Sequence, residues 1–161
     1  MDNRLFRNAM GSFATGVTII STEVDDKTYG MTANAFMSVS MEPKLVVISI
    51  DRNAHMLEKI KQCKKYAVNI LSETQQDLSM HFAGQKETEH GVSFSSLGNV
   101  PVIDGAMAQV TCEVVGEHEE GDHTLFIGKV TNIQLEENAK PLIFYKGKYR
   151  SLQPVEEMVN S

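Results

Sequence analysis

Cysteine is scarce in this chain. Cys63 and Cys112 are its only two, far apart in sequence and outside any CxxC pair. That excludes a disulfide framework and a cysteine-ligated zinc site. Long hydrophobic runs are also missing. The most apolar stretch, residues 45–50, is far too short to cross a bilayer. The first ten residues, MDNRLFRNAM, contain no extended apolar segment of the secretory type. The expectation is a reduced, cytoplasmic protein without a membrane segment. An excess of basic charge is absent too. Fifteen Lys and Arg stand against 21 Asp and Glu, for a formal charge of −6, so no bulk electrostatic force draws the chain to nucleic acid. The densest basic group, Lys59, Lys61, Lys64 and Lys65, suits a solvated helix face. Signature loops of common enzymes are missing as well. No GxGxxG follows the first strand, and there is no GxSxG elbow, HExxH or Walker loop. If the chain is an enzyme, a cofactor carries the chemistry.

What is present is one domain's worth of sequence. The 161 residues are 42% apolar and 22% charged, enough to bury a core without metal or disulfides. No internal repeat or linker breaks them. Residues 3–11 place Leu5, Phe6, Ala9 and Met10 on one helical face, with Asp2 or Asn3 as cap and Gly11 as stop. Residues 16–23 are rich in β-branched side chains and read as a strand, followed by a turn at Asp25-Asp26-Lys27. Residues 28–40 read as one longer extended segment. Glu42-Pro43 ends it, and residues 45–51 form a nearly all-apolar strand, the pattern of burial on both faces.

Asn53 is placed to cap a helix over 54–63, and 66–71 is the next strand. Ser72 and Gln75 have capping-box spacing for a helix to about Gly84. Residues 85–104 have little periodicity and read as a long loop. Strands at 106–116 and 122–135 flank a Glu119-Glu120-Gly121-Asp122 turn, and 141–152 form a second hairpin around Gly147. Strands joined by turns, with few short helices, predict a mainly β, antiparallel barrel with short peripheral helices.

Four segments can carry chemistry. In Thr32-Ala33-Asn34-Ala35-Phe36-Met37-Ser38, strand alternation puts Thr32, Asn34, Phe36 and Ser38 on one face. The two alanines leave room for a flat object to approach the backbone; an edge strand with a solvated polar face has the same pattern. Ser49-Ile50-Asp51-Arg52-Asn53 runs from a strand into a helix start, where free N–H groups suit phosphate, with Arg52 or Lys59 adding charge. An ordinary cap followed by a surface arginine reads the same way. His81-Phe82-Ala83 closes a helix, which also suits a C-terminal histidine with Phe82 in the core. His123 sits at a hairpin tip. No third ligand accompanies His118 and His123 in sequence, so no metal site is expected.

FRNAMGSFATGVTIIST (6–22), GMTANAFMSVSMEPKLVVISIDR (30–52), YAVNIL (66–71), LSMHFAG (78–84), GDHTLFIGKV (121–130) and PLIFYKGKY (141–149) occur in order over nearly the whole chain. Together they resemble the flavin reductase family with the FMN-binding split barrel, and within it the reductase components of two-component phenol or 4-hydroxyphenylacetate hydroxylases. The resemblance implies a Greek-key split barrel over residues 1–153 with a polar tail, 154–161. It implies an NADH-dependent flavin reductase that pairs as a homodimer and hands reduced FAD or FMN to a partner oxygenase.

By position, the resemblance implies that Thr32, Ala33, Asn34, Ala35, Phe36, Ser38 and Val39 line the flavin. Ser49, Ile50, Asp51, Arg52 and Asn53, with Lys59, would hold its ribityl and phosphate groups. His81, Phe82 and Ala83 would close the site. His123 would lie beside the nicotinamide, and Tyr145 and Tyr149 would flank the dinucleotide. A non-catalytic flavin carrier, or an oxidase of the pyridoxamine-phosphate type, would share the barrel.

Overall fold

The computed structural model describes residues 1–89 and 91–156. Helix α1 (Asn3–Gly11) is capped by Asp2, whose carboxylate accepts the Arg4 N–H at 2.8 Å. The strands are β1 (Thr15–Gly16), β2 (Thr18–Val24), β3 (Lys27–Ala33), β4 (Phe36–Met41) and β5 (Lys44–Asp51). After α2 (His55–Cys63) come β6 (Lys65–Ile70), a 3₁₀ turn at Glu73–Gln75 and α3 (Gln76–Phe82). The chain ends in four antiparallel strands and a small hairpin: β7 (Phe94–Leu97), β8 (Val100–Ile103), β9 (Ala108–Glu120), β10 (His123–Leu135), β11 (Ile143–Tyr145) and β12 (Lys148–Arg150).

Seven strands form one antiparallel sheet in the order β3-β2-β6-β9-β10-β5-β4. Its two edge strands, β3 and β4, are consecutive in the chain and joined only by Asn34 and Ala35. Laid flat, seven strands would hold those edges about 29 Å apart. The link from Ala33 to Phe36 can span no more than about 11 Å. The sheet must therefore roll up. One core confirms it, because all seven strands contribute: Ile20, Met31, Phe36, Val46, Ile48, Ile50, Tyr66, Val68, Val110, Cys112 and Phe126, with Met56, Leu57 and Ile60 from α2. No ladder joins β3 to β4 among the described residues, so the barrel stays split along that seam. The connection from β5 to β6 passes β10 and β9, a Greek-key step.

A second core of Val17, Ile19, Leu71, Ile103 and Leu142 lies on the other side of β2, packed against Leu78, Phe82, Phe94, Phe144 and Tyr149. It fastens α3, β8 and the C-terminal hairpin to the barrel. Buried Asn69 is satisfied there: its amide donates to Ile19 O and Ser21 Oγ and its oxygen accepts the Ile103 N–H.

Several expectations need correction. The extended segment 28–40 is two strands on opposite edges, so alternation does not run through Asn34-Ala35 and does not put Thr32 and Ser38 on one face. The 85–104 loop contains the β7–β8 hairpin, turned by Gly98 and Asn99, both at positive φ. The cap of α2 is Ala54, not Asn53, whose N–H instead goes to Asp51 Oδ1 at 2.7 Å. The Ser72/Gln75 capping box forms, but it opens a 3₁₀ turn before α3. β5 is buried on one face only. Val46, Ile48 and Ile50 fill the core, while Val47 and Ser49 are half-buried on the other face. Of the polar tail, residues 154–156 are exposed; 157–161 lie outside the described residues.

Candidate functional site

Two cavities open at the seam. A cleft of about 830 Å³ is walled by Met10 and Gly11 at the end of α1, by Phe13 to Gly16 after it, by Asn34, Ala35, Phe36 and Met37 at the seam, by Val47, Ser49 and Leu125 from the β5–β10 ladder, and by Phe144 of β11. A smaller chamber of about 160 Å³ lies on the other side of the seam, between Thr32, Ala33, Asn34, Val17, Ser79, Ala83, Gln85, Phe144 and Tyr149. Asn34 and Phe144 border both.

Local structure explains the cleft. Asn34 and Ala35 fall between two strands, so neither belongs to a ladder. The Ala35 carbonyl accepts the Ser49 N–H at 3.2 Å and the Asn34 carbonyl that of Phe36 at 3.0 Å, while among the described residues the N–H groups of Asn34 and Ala35 donate to no other backbone group. Both residues are exposed. Thr15 Oγ1, in the cleft wall, is buried without a hydrogen-bond partner. An orphaned hydroxyl, two free amides and a largely apolar cleft of this size suit a flat, polar-edged ring system. The residues thus fit a flavin.

The smaller chamber is held by side-chain bonds. Thr32 Oγ1 donates to Ser79 O at 2.6 Å, and the hydroxyls of Ser79 and Tyr149 are 2.7 Å apart. Tyr149 meets Phe144 edge-on, with ring centroids 5.4 Å apart. These contacts bind β3, α3 and the C-terminal hairpin into one wall.

His123 opens β10 opposite Asp51, and Leu125 faces Ser49 two residues on. With a period of two, His123 and Asp51 continue the row of Leu125 and Ser49, at the rim of the larger cleft. His123 Nδ1 lies 2.8 Å from Asp122 Oδ1, and this bond holds the Asp122 carboxyl below the usual carboxylate range. Ligand atoms of Asp51, Asp122 and His123 all fall within 4.8 Å of one another. His123 and Asp122 bond each other, and Asp51 Oδ1 accepts the Asn53 N–H.

Of the residues singled out in the sequence, the structure gathers Thr32, Ala33, Asn34, Ala35, Phe36, Ser49, Ala83 and Tyr149 around the two chambers. The side chains of the others lie elsewhere. Ile50 is fully buried in the core, so only its backbone faces outward. Phe82 is a packing residue: a Cβ on Gly30 would sit 2.6 Å from its ring. His81 Nδ1 is 3.2 Å from Lys86 O. Lys59 Nζ lies 4.5 Å from the Tyr29 ring centroid, not at a helix start. Ser38 and Val39 are exposed on edge strand β4, and Arg52 and Asn53 are exposed beyond the end of β5. Tyr145 follows Phe144 in β11 and so faces away from the cleft. Sequence reasoning missed Met10, Phe13, Val47, Leu125 and Phe144, which read as core positions because an apolar cleft and an apolar core demand the same side chains.

Known proteins share this arrangement. A family model described as a flavin reductase like domain matches residues 10–153. A NADH-dependent flavin reductase from a Rhodococcus species is 43% identical over 150 residues, covering 91% of this chain and 85% of the relative. The reductase component of a 4-hydroxyphenylacetate 3-monooxygenase from Thermus thermophilus is 34% identical over 147 residues, covering 91% and 95%. The solved structure of flavin reductase PheA2 in its native state superposes with a TM-score of 0.93 at 61% identity, covering 96% of this chain and all of that one. A split antiparallel barrel with its cleft at the seam, matched over nearly its full length, makes this chain a member of the flavin reductase family.

Proposed function

We propose that the protein is an NADH-dependent flavin reductase that binds FAD or FMN at the seam and supplies the reduced flavin to the oxygenase component of a two-component monooxygenase acting on an aromatic substrate. The observation that carries this reading is the Asn34-Ala35 link. Among the described residues it leaves two backbone N–H groups without a backbone partner where the two chambers meet at Asn34.

When bound, flavin supplies the ring that takes up two electrons: NADH, a proton and flavin give NAD⁺ and reduced flavin. The chain's task is to hold and screen. The Asn34 and Ala35 amides would hold the ring's polar edge by hydrogen bonds and supply positive polarity there. The methyl side chains of Ala33 and Ala35 allow that approach, and the Asn34 amide supplies a further hydrogen bond. Ser49 and the backbone from Ile50 to Asn53, with Arg52, serve the ribityl chain and its phosphate, while Ala83 and Tyr149 close the smaller chamber and Phe36 and Phe144 keep water off the ring. His123 at the rim positions the nicotinamide or polarises its carboxamide; hydride loss leaves that ring positive and needs no base.

A homodimer fits the same reading. Leu5, Phe6 and Met10 of α1 and Met37, Val39 and Met41 of β4 are exposed apolar side chains, the kind of surface a second copy would cover. No helix is long and apolar enough to cross a membrane among the described residues. Steady-state kinetics with NADH and NADPH against FAD, FMN and riboflavin test the reading. Turnover with NADH and a flavin is expected; a stable yellow protein without turnover would make it a flavin carrier.

A further inference from the structure

We propose that Arg7 and Lys146 form an anion subsite for the diphosphate of a bound dinucleotide. The inference deepens the reductase reading and rests on it. Among the described residues no lysine or arginine lines the larger cleft, and the chain as a whole carries a formal charge of −6. Both reactants of the proposed reaction can be dinucleotides, and Arg52 beyond the end of β5 answers one phosphate group, so a diphosphate calls for further positive charge beside the cleft.

One exit offers it. A shallow hollow of about 450 Å³ shares Gly11 with the cleft and is lined by Arg7, Asn8, Ser12, Lys146 and Gly147. The side chains of Arg7, Asn8 and Lys146 are donors suited to phosphate oxygens. Neither cation forms an ion pair among the described residues, although Lys61, Lys64 and Lys86 do. Backbone geometry fixes the pair across the hollow. The Lys146 N–H donates to Gly11 O at 2.9 Å, joining the end of α1 to the tip of the β11–β12 hairpin. Lys146 and Gly147 both have positive φ, +47° and +75°, so the tip is a tight turn that projects the lysine. Its ammonium lies 5.4 Å from the Tyr145 ring centroid, an arrangement that limits its freedom. Tyr145, turned away from the cleft, thereby gains a role as the rest on which this lysine lies.

The diphosphate can come from NADH or from FAD, and the test separates the two. Binding of ADP-ribose and of inorganic pyrophosphate to wild type, Arg7→Ala, Lys146→Ala and the double variant is measured by calorimetry at two salt concentrations. Removing both exposed charges should weaken binding about tenfold and flatten the salt dependence, with melting temperature unchanged. Kinetics then assign the source. If the subsite serves NADH, the double variant raises KM for NADH but not for N-benzyl-dihydronicotinamide, which has no phosphate. If it serves FAD, KM rises for FAD but not for riboflavin. Equal affinity of wild type and double variant for both anions overturns the proposal. Because binding is measured without turnover, that result is distinct from a failure of the reductase reading, which would show as no NADH oxidation by wild type.

Discussion

Among the described residues the amides of Asn34 and Ala35 have no backbone partner, and both residues line the cleft. Replacing Asn34 with Ala removes side-chain hydrogen bonds and should weaken flavin binding by about 1–3 kcal/mol. Ala35→Leu should harm binding more than folding, since the residue is exposed and the added bulk enters the cleft. Fluorescence titration with FAD checks both; unchanged affinity would reduce the segment to a solvated strand link. His123→Ala should leave flavin affinity and melting temperature intact while lowering kcat/KM for NADH tenfold to a hundredfold, or about 1.4–2.7 kcal/mol. Stopped-flow reduction with and without a chelator checks this, and wild-type rates would remove His123 from the site.

Core residues give a pH signature. Burial pushes the Cys112 thiol up to about 12 and the Tyr66 phenol well above its ordinary range. Unfolded, these groups ionise near 8.5 and 10. A raised folded value stabilises fully below the unfolded value and is lost as pH rises toward the folded one. The melting temperature should thus hold to about pH 8 and fall between roughly pH 9 and 12. A thiol reagent at pH 8 should modify half-buried Cys63 well before Cys112; equal rates would contradict the buried placement.

At the scale of elements, Gly30 and Phe82 join β3 to α3. A methyl at Gly30 would press into the Phe82 ring at 2.6 Å. Gly30→Ala should cost about 1–3 kcal/mol by overpacking and should disturb the Thr32–Ser79–Tyr149 wall, so that flavin affinity and denaturant midpoint fall together. Much of this layer was legible. Asp2 caps α1 as the sequence suggests, and the turn at Gly121-Asp122 joins β9 to β10. The β7–β8 hairpin was missed although Leu97-Gly98-Asn99-Val100 has a recognisable turn pair, because the strands on either side are only four residues long. The break at Asn34-Ala35 had no local signal. Nothing in TANAF distinguishes a continuous strand from a link between opposite edges, since the difference lies in partners far away in sequence. Lys59 misled for a related reason: its neighbour Tyr29 is contributed by β3.

For the whole molecule, rolling a seven-stranded sheet and leaving its seam open creates a cleft that no single segment encodes. The same architecture leaves α1 and β4 with apolar side chains in solvent. Light scattering at micromolar concentration should give a dimer mass, and Phe6→Glu with Met37→Glu should shift it toward monomer; a wild-type monomer would contradict the dimer. The most direct test of the central claim is anaerobic mixing of the protein and FAD with NADH, following flavin absorbance and NADH together. The account predicts that the yellow colour bleaches with one NADH consumed per flavin reduced, much faster than in protein-free solution. Flavin that stays bound and oxidised while NADH persists would contradict it.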